Sequence, residues 1–436
     1  MPPFPQVLPP SAELTPEGHL AVGGCDLVEL ARAHGTPLVV YDEGHLRANA
    51  RAFRSELNAL APGAEVVYAS KAYWGLAMLR LIEEEGLSVD VASGGELFSA
   101  LSAGIPSERI YMHGNNKDDR EVAELLDARV GTVILDNLAE IDRIEAAASA
   151  RGVVQRALVR VTPGVDPDTH SFIKTGHDDS KFGFPLLGGR AAAAVERVRR
   201  SPHLELIGIH AHIGSQLLQL SDYPEAARLL AAFALEQGGE DLGVVNMGGG
   251  LGIAYTREQQ PPSVAEYCRA VVGAVHTAWE QVGLPRPRIL IEPGRSMVGR
   301  AGLTLYSVGG TKDQAGWVDA AVDGGMSDLI RPMLYGATYE ALLANRVADP
   351  EEVTVRIVGK HCESGDVLVQ AARLAHPRTG DLIAIPATGA YGVSMASNYN
   401  GVTRPAVVFV DGGRARLVTR RETYADLVAR EEPAPA

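Results

Sequence analysis

Glu65-Val66-Val67-Tyr68-Ala69-Ser70-Lys71, the helical stretch Leu76–Glu85, then Leu87-Ser88-Val89-Asp90-Val91-Ala92 and a second helical stretch, Gly95–Ala103, form a unit that recurs as far as Met297. Each repeat is a short β-branched run, a polar or glycine-bearing turn, and an Ala/Leu/Glu-rich segment with helical spacing. Further strand signals stand at Arg109–His113, Thr132–Asp136, Ala157–Val161, Leu206–His212, Gly243–Met247 and Arg288–Glu292. Helical patterns fall between them at Asp118–Ala128, Ala139–Ala150 and Tyr223–Gln237. Eight strands alternating with helices predict a (β/α)8 barrel of the TIM type, since an open doubly wound sheet more often stops at five or six.

Beyond Gly299 the texture changes. Val353–Val358, Leu382–Ile385, Ala406–Val410 and Ala415–Val418 are short β runs divided by Gly, Pro and Asp. They predict a second, β-rich domain, and strand-like pieces within His19–Tyr41 are expected to pair with it. The reading is therefore a barrel over residues 43–297 and a β-rich domain made of residues 1–42 and 298–436.

The bulk properties narrow the function. The chain has 436 residues, 46% hydrophobic and 22% charged, an ordinary soluble composition with room for two cores. A formal charge of −14 argues against a nucleic-acid or anionic-membrane partner. Cys25, Cys268 and Cys362 are too few and too scattered for a disulfide framework or a zinc site, so no metal is expected. The proline-rich start lacks the pattern of a signal peptide, and no apolar run is long enough to span a bilayer. A cytoplasmic location is expected.

In a barrel of this kind the chemistry gathers where the strands end. The first strand ends on Lys71, a position usually taken by a solvated lysine. In a barrel mouth its amine could be desolvated and nucleophilic, as Schiff-base chemistry requires. Strand six runs into His210-Ala211-His212-Ile213-Gly214-Ser215-Gln216, strand seven into Gly248-Gly249-Gly250, and strand eight into Glu292-Pro293-Gly294-Arg295. Glycines let backbone N–H groups approach an anion, and the loops after strands seven and eight are a recurrent phosphate site. A carboxylate such as Glu292, set beside a pyridine nitrogen, would keep that ring protonated. The second domain adds Asp323–Tyr335, Cys362-Glu363-Ser364-Gly365-Asp366 and Gly389-Ala390-Tyr391-Gly392. By spacing alone these are turns between strands.

Taken in series, these segments resemble the diaminopimelate decarboxylase family of fold-type III pyridoxal-phosphate enzymes. The likeness runs from about Gly18 to Tyr424 and includes Asp90–Glu96, His113-Gly114-Asn115-Asn116-Lys117, Thr175-Gly176 and Ser180-Lys181-Phe182-Gly183. The resemblance implies pyridoxal 5'-phosphate as cofactor, carried covalently by Lys71. It implies that His212 stacks on the cofactor ring and that Glu292 pairs with the ring nitrogen. Ser215, Gly249, Gly250, Gly294, Arg295 and Tyr391 would hold the phosphate. Arg295, Arg331 and Tyr335 would grip the distal carboxylate of a small amino-acid substrate, with Tyr391 also at the substrate, and Glu363 would take the distal ammonium. Cys362 would protonate the carbanion left by loss of carbon dioxide. It would do so from the partner subunit, so a homodimer with shared sites is implied. The implied reaction turns meso-2,6-diaminopimelate into L-lysine.

Relatives of the same fold that act on ornithine, arginine or carboxynorspermidine would carry acidic residues where Arg331 and the Cys-Glu pair stand. A racemase would need a tyrosine acid/base in the second domain, a part Tyr335 could play. An inhibitor or homeostasis protein on this barrel would be expected to lack Lys71 or Cys362, and both are present.

Overall fold

In the computed structural model of the chain, which describes residues 3–164, 181–239 and 241–432, all eight predicted strands pair in parallel and close on themselves. They are β1 (Glu65–Ala69), β2 (Ser88–Val91), β3 (Ile110–Met112), β4 (Thr132–Leu135), β5 (Gln155–Thr162), β6 (Leu204–His210), β7 (Val244–Asn246) and β8 (Arg288–Ile291). Each strand pairs with the next, and β8 returns to β1 through Leu290 opposite Glu65 and Ile291 opposite Val66. Val67, Tyr111, Ile134, Leu158, Val244 and Leu290, one from each of six strands, form one buried apolar cluster. Side chains alternate along a strand, so residues two positions further on share that cluster's face. Those residues are Ala69, His113, Asp136, Arg160, Asn246 and Glu292. One parity rule thus converts an apolar layer into a polar ring where the strands end.

The helices between the strands start on explicit signals. The Ser93 side chain accepts from Glu96 N ahead of Gly94–Ser102, and Asn137 accepts from Glu140 N ahead of Leu138–Arg151. Asp118 with Glu121, and Ser263 with Glu266, form reciprocal capping boxes. Helices that the sequence reading leaves out include Glu43–Leu60, Arg190–Arg199 and Val264–Gln281. Among the described residues no helix is long and apolar enough to cross a membrane.

By contact density the chain divides into a barrel unit, Asn49–Gly252 with Pro261–Gly294, and a β-rich unit, Met1–Ala48 with Ile253–Gln260 and Arg295–Ala436. The short segment Ile253–Gln260 leaves the glycine run after β7 and supplies Ile253, Ala254 and Tyr255 to the β-rich cores. The spine of that unit is Gly302–Asp313, twelve residues that the sequence reading did not mark as a strand. Its Gly309-Gly310 pair interrupts the β-branched pattern. It bonds antiparallel to Leu38–Asp42, Val318–Val322 and Leu382–Pro386. The expected pairing of the N-terminal stretch is present, since Leu38–Asp42 lies between this spine and Ala406–Asp411.

Candidate active site

Glu292 follows β8 and lies on the inward face of the barrel, 7% exposed. His113 Nε2 is 2.8 Å from Glu292 Oε1, Asn246 Nδ2 donates to the same oxygen at 2.7 Å, and His210 Nε2 is 3.1 Å from Oε2. Burial pushes this carboxyl up, but the two imidazoles bonded to its oxygens outweigh that and hold it well below the usual carboxylate range. Burial pushes His113 down and His210 down to about 4, so both rings are neutral near pH 7. A carboxylate accepts only, so each neutral ring donates from Nε2–H. Glu292 is therefore a fixed buried anion held by three donors.

Around it stand Lys71, His212 and Asp90. Lys71 lies in the turn Ser70–Ala72 directly after β1, and its side chain is exposed within the chain. The expectation of a desolvated amine is not met by the barrel unit itself. Its charge is nonetheless felt by His212, whose ring is pushed to about 3 by burial first and by Lys71 second. His212 Nδ1 accepts from Gly249 N at 3.2 Å, which fixes its neutral tautomer with the proton on Nε2. Asp90 pairs with Ala69 in register, and burial, then Glu292, holds its carboxyl well above the usual range.

The glycines after β7 are required by close approach. A Cβ at Gly248 (φ +65°) would lie 2.7 Å from Ala211 O, and one at Gly250 (φ +131°) would lie 2.9 Å from the Tyr223 hydroxyl. Gly249 and Gly294 pack equally closely, the latter against Ala69. Ser215 is exposed in the loop after β6.

Lys117, from the loop after β3, is 1% exposed and paired with the equally buried Glu140. It also donates to Gly114 O and Ile134 O, both at 2.8 Å. This clamp fastens the loop that carries His113.

The β-rich unit gathers charge differently. Arg331 begins the helix Arg331–Tyr335 and is 6% exposed. It donates to the Tyr339 hydroxyl, and its guanidinium lies 4.7 Å from the ring centroid of Tyr255. Arg295 donates to the Tyr255 hydroxyl and lies 4.9 Å from the Tyr391 ring. Tyr391 takes a φ of +64°, an uncommon and strained setting for a bulky residue. Among the described residues no carboxylate stands within ion-pair distance of Arg331. Tyr335 is one turn along the same helix and 63% exposed.

Cys362 and Glu363 lie exposed on a turn that is itself anchored. Asp366, 3% exposed, accepts from His361 N at 2.9 Å and from Met326 N at 2.7 Å. Asn400 Oδ1 accepts from Cys362 N at 2.9 Å. His361 Nε2 lies 2.9 Å from Ser327 Oγ, which in turn reaches Asp328.

A family model described as the pyridoxal-dependent decarboxylase, pyridoxal binding domain, matches residues 43–299. A diaminopimelate decarboxylase of Bacillus subtilis (strain 168) is 47% identical over 421 residues, covering 95% of this chain and 96% of that protein. The chain belongs to the diaminopimelate decarboxylase family. The crystal structure of diaminopimelate decarboxylase from M. jannaschii matches with a TM-score of 0.92 at 33% identity, covering 98% of both chains. A second structure of that protein, in co-complex with L-lysine, matches at 0.91 and 33%, again over 98% of both.

Among the positions implied by the family resemblance, Lys71, His212, Ser215, Gly249, Gly250, Glu292 and Gly294 fall in the barrel unit. Arg295, Arg331, Tyr335, Cys362, Glu363 and Tyr391 fall in the β-rich unit. Thr175, Gly176 and Ser180 lie outside the described residues. The sequence reading gave no role to His113, His210, Asn246 and Asp90 at Glu292, or to Tyr255 and Tyr339 at the arginines. Of the first set, His113 and Asn246 were open to the two-residue alternation. The second had no local signal.

Proposed function

We propose that this chain decarboxylates meso-2,6-diaminopimelate to L-lysine and carbon dioxide, the last step of lysine biosynthesis, with pyridoxal 5'-phosphate as cofactor. The residues present fit that cofactor on three grounds. Glu292 is a buried anion suited to a protonated ring nitrogen, the glycines after β7 carry no side chains of their own to keep an anion from the backbone, and a lysine closes β1. Lys71 would carry the cofactor aldehyde on Nζ, His212 would lie against the ring, and Ser215, Gly249, Gly250, Gly294, Arg295 and Tyr391 would take the phosphate. When bound, the cofactor supplies the electron sink for the pair left as carbon dioxide departs.

The chain's own work is to bind, orient and deliver a proton. Arg331, with Arg295, Tyr335 and Tyr391, takes the carboxylate that is kept, and Glu363 takes the ammonium beside it. This leaves the other end of the substrate to react, which is catalysis by positioning. Cys362 Sγ gives a proton to the carbon that has lost its carboxylate. The exposed, anchored turn bearing Cys362 and Glu363 suits a site completed by a second copy of the chain, so a homodimer with shared sites is part of the proposal.

The observation that carries the substrate assignment is Arg331, a buried cation whose neighbours are tyrosines rather than acids. A substrate lacking the distal carboxylate would leave that charge unpaired in a closed site. Arg331→Gln should lower kcat/KM for meso-diaminopimelate by about two decades, with cofactor affinity unchanged. Wild-type efficiency in that variant would refute the assignment.

A further inference from the structure

Burial alone would make Glu292 prefer its neutral form, yet its surroundings hold it charged. Its three donors are all uncharged: His113 Nε2 at 2.8 Å and Asn246 Nδ2 at 2.7 Å on Oε1, and His210 Nε2 at 3.1 Å on Oε2. The two imidazoles are themselves fixed. They meet edge to face with centroids 4.9 Å apart, and His113 N donates to Val91 O at 2.7 Å. Asp90 shows that the placing of charge here is selective. It is buried as well, and burial first, then Glu292, holds it toward its protonated form. Of these two buried carboxyls, the one bonded to the imidazoles keeps the charge.

We infer that His113 and His210 act through Glu292 to keep a proton on the ring nitrogen of the cofactor rather than on the carboxylate. The inference rests on the proposed pairing of Glu292 with that nitrogen. A carboxylate facing a protonated ring in a buried site can collapse to two neutral groups: the N–H bond breaks, an O–H bond forms, and both charges vanish from a poor dielectric. Hydrogen bonds donated to the carboxylate make it a weaker base and oppose that transfer. A lysine or arginine could donate too, but its charge would work against a positive ring. Imidazoles kept neutral by burial donate without that opposition. A ring that keeps its proton is the stronger electron sink. Both histidines are positioning residues, since they act through Glu292.

The test reads the nitrogen NMR signal of ring-labelled pyridoxal 5'-phosphate bound to the enzyme without substrate. Wild type should give the protonated-ring shift. His113→Met and His210→Met, which keep bulk but remove the donor, should each move it toward that of neutral pyridine. His113→Gln and His210→Gln, whose amides can donate from a similar place, should restore the protonated shift. In the Met variants kcat for meso-diaminopimelate should fall about tenfold, with KM within about twofold of wild type. The two positions are independent, so a variant that does not fold leaves the other to decide. A merely structural role would weaken cofactor binding with the ring shift unmoved, and that result would overturn the inference. It is overturned too if folded Gln variants lose the ring proton as fully as the Met variants. A neutral-ring shift in wild type would instead refute the pairing of Glu292 with the ring nitrogen, and the inference with it.

Discussion

The two units solve the same problem, a buried charge, in opposite ways. In the barrel unit two buried charges are matched: Glu292 by His113, His210 and Asn246, and Lys117 by Glu140 and two carbonyls. In the β-rich unit Arg331 is surrounded by aromatic rings and a phenol, and its charge remains. A matched charge makes a rigid mould, suited to a cofactor that stays. A retained charge makes a receptor, suited to a substrate that must be chosen and then released as product. On the proposed function, the barrel unit would serve the cofactor and the β-rich unit the substrate.

The barrel side can be broken hardest at Lys71. Lys71→Ala should lose at least about a thousandfold in turnover, since no other group replaces a covalent amine. Borohydride reduction of the wild-type enzyme should fix the cofactor to the peptide containing Lys71. Mixing Lys71→Ala with Cys362→Ala chains, followed by mild unfolding and re-pairing, should restore about a quarter of wild-type activity, the yield of random pairing when each site draws on two chains. No recovery beyond the parents, with re-pairing confirmed by mass, would remove the shared site.

The clamp under His113 comes next in size. Lys117→Met leaves Glu140 charged and buried, which should cost about 3–5 kcal/mol of unfolding free energy by urea titration. Adding Glu140→Leu should recover much of the loss. A single variant as stable as wild type would show that this pair is not the matched charge described here.

The smallest effect belongs to the β-rich unit. Asp328 accepts from the Tyr306 hydroxyl and from Gly325 N, and burial pushes its carboxyl up from 3.8 to about 6. A carboxyl raised on folding favours the folded state below its unfolded pKa and loses that contribution as pH rises through the folded value. Stability should therefore fall between pH 4 and 6, by at most about 3 kcal/mol. Asp328→Asn should flatten that slope. An unchanged slope in the variant would place the titrating group elsewhere.

How much of this could be read from the sequence divides along the same line. The barrel was legible because each strand and helix repeats a local pattern, and because its buried polar groups sit where strands end. Even His113, Asn246 and Glu292 are fixed by counting two residues beyond Tyr111, Val244 and Leu290. The β-rich unit was not legible in this way. Its spine, Gly302–Asp313, carries glycines that mask a strand. Tyr255 reaches its core from a segment flanked on both sides by barrel sequence, and only long-range folding brings it to Tyr339.

The central claim is that a retained cation selects a substrate bearing a second carboxylate. Its most direct test is release of carbon dioxide by the purified, cofactor-loaded enzyme from meso-diaminopimelate, ornithine and lysine, each supplied alone. Release from meso-diaminopimelate, with ornithine and lysine at background, is the predicted result. Comparable release from ornithine, or none from meso-diaminopimelate, would contradict it.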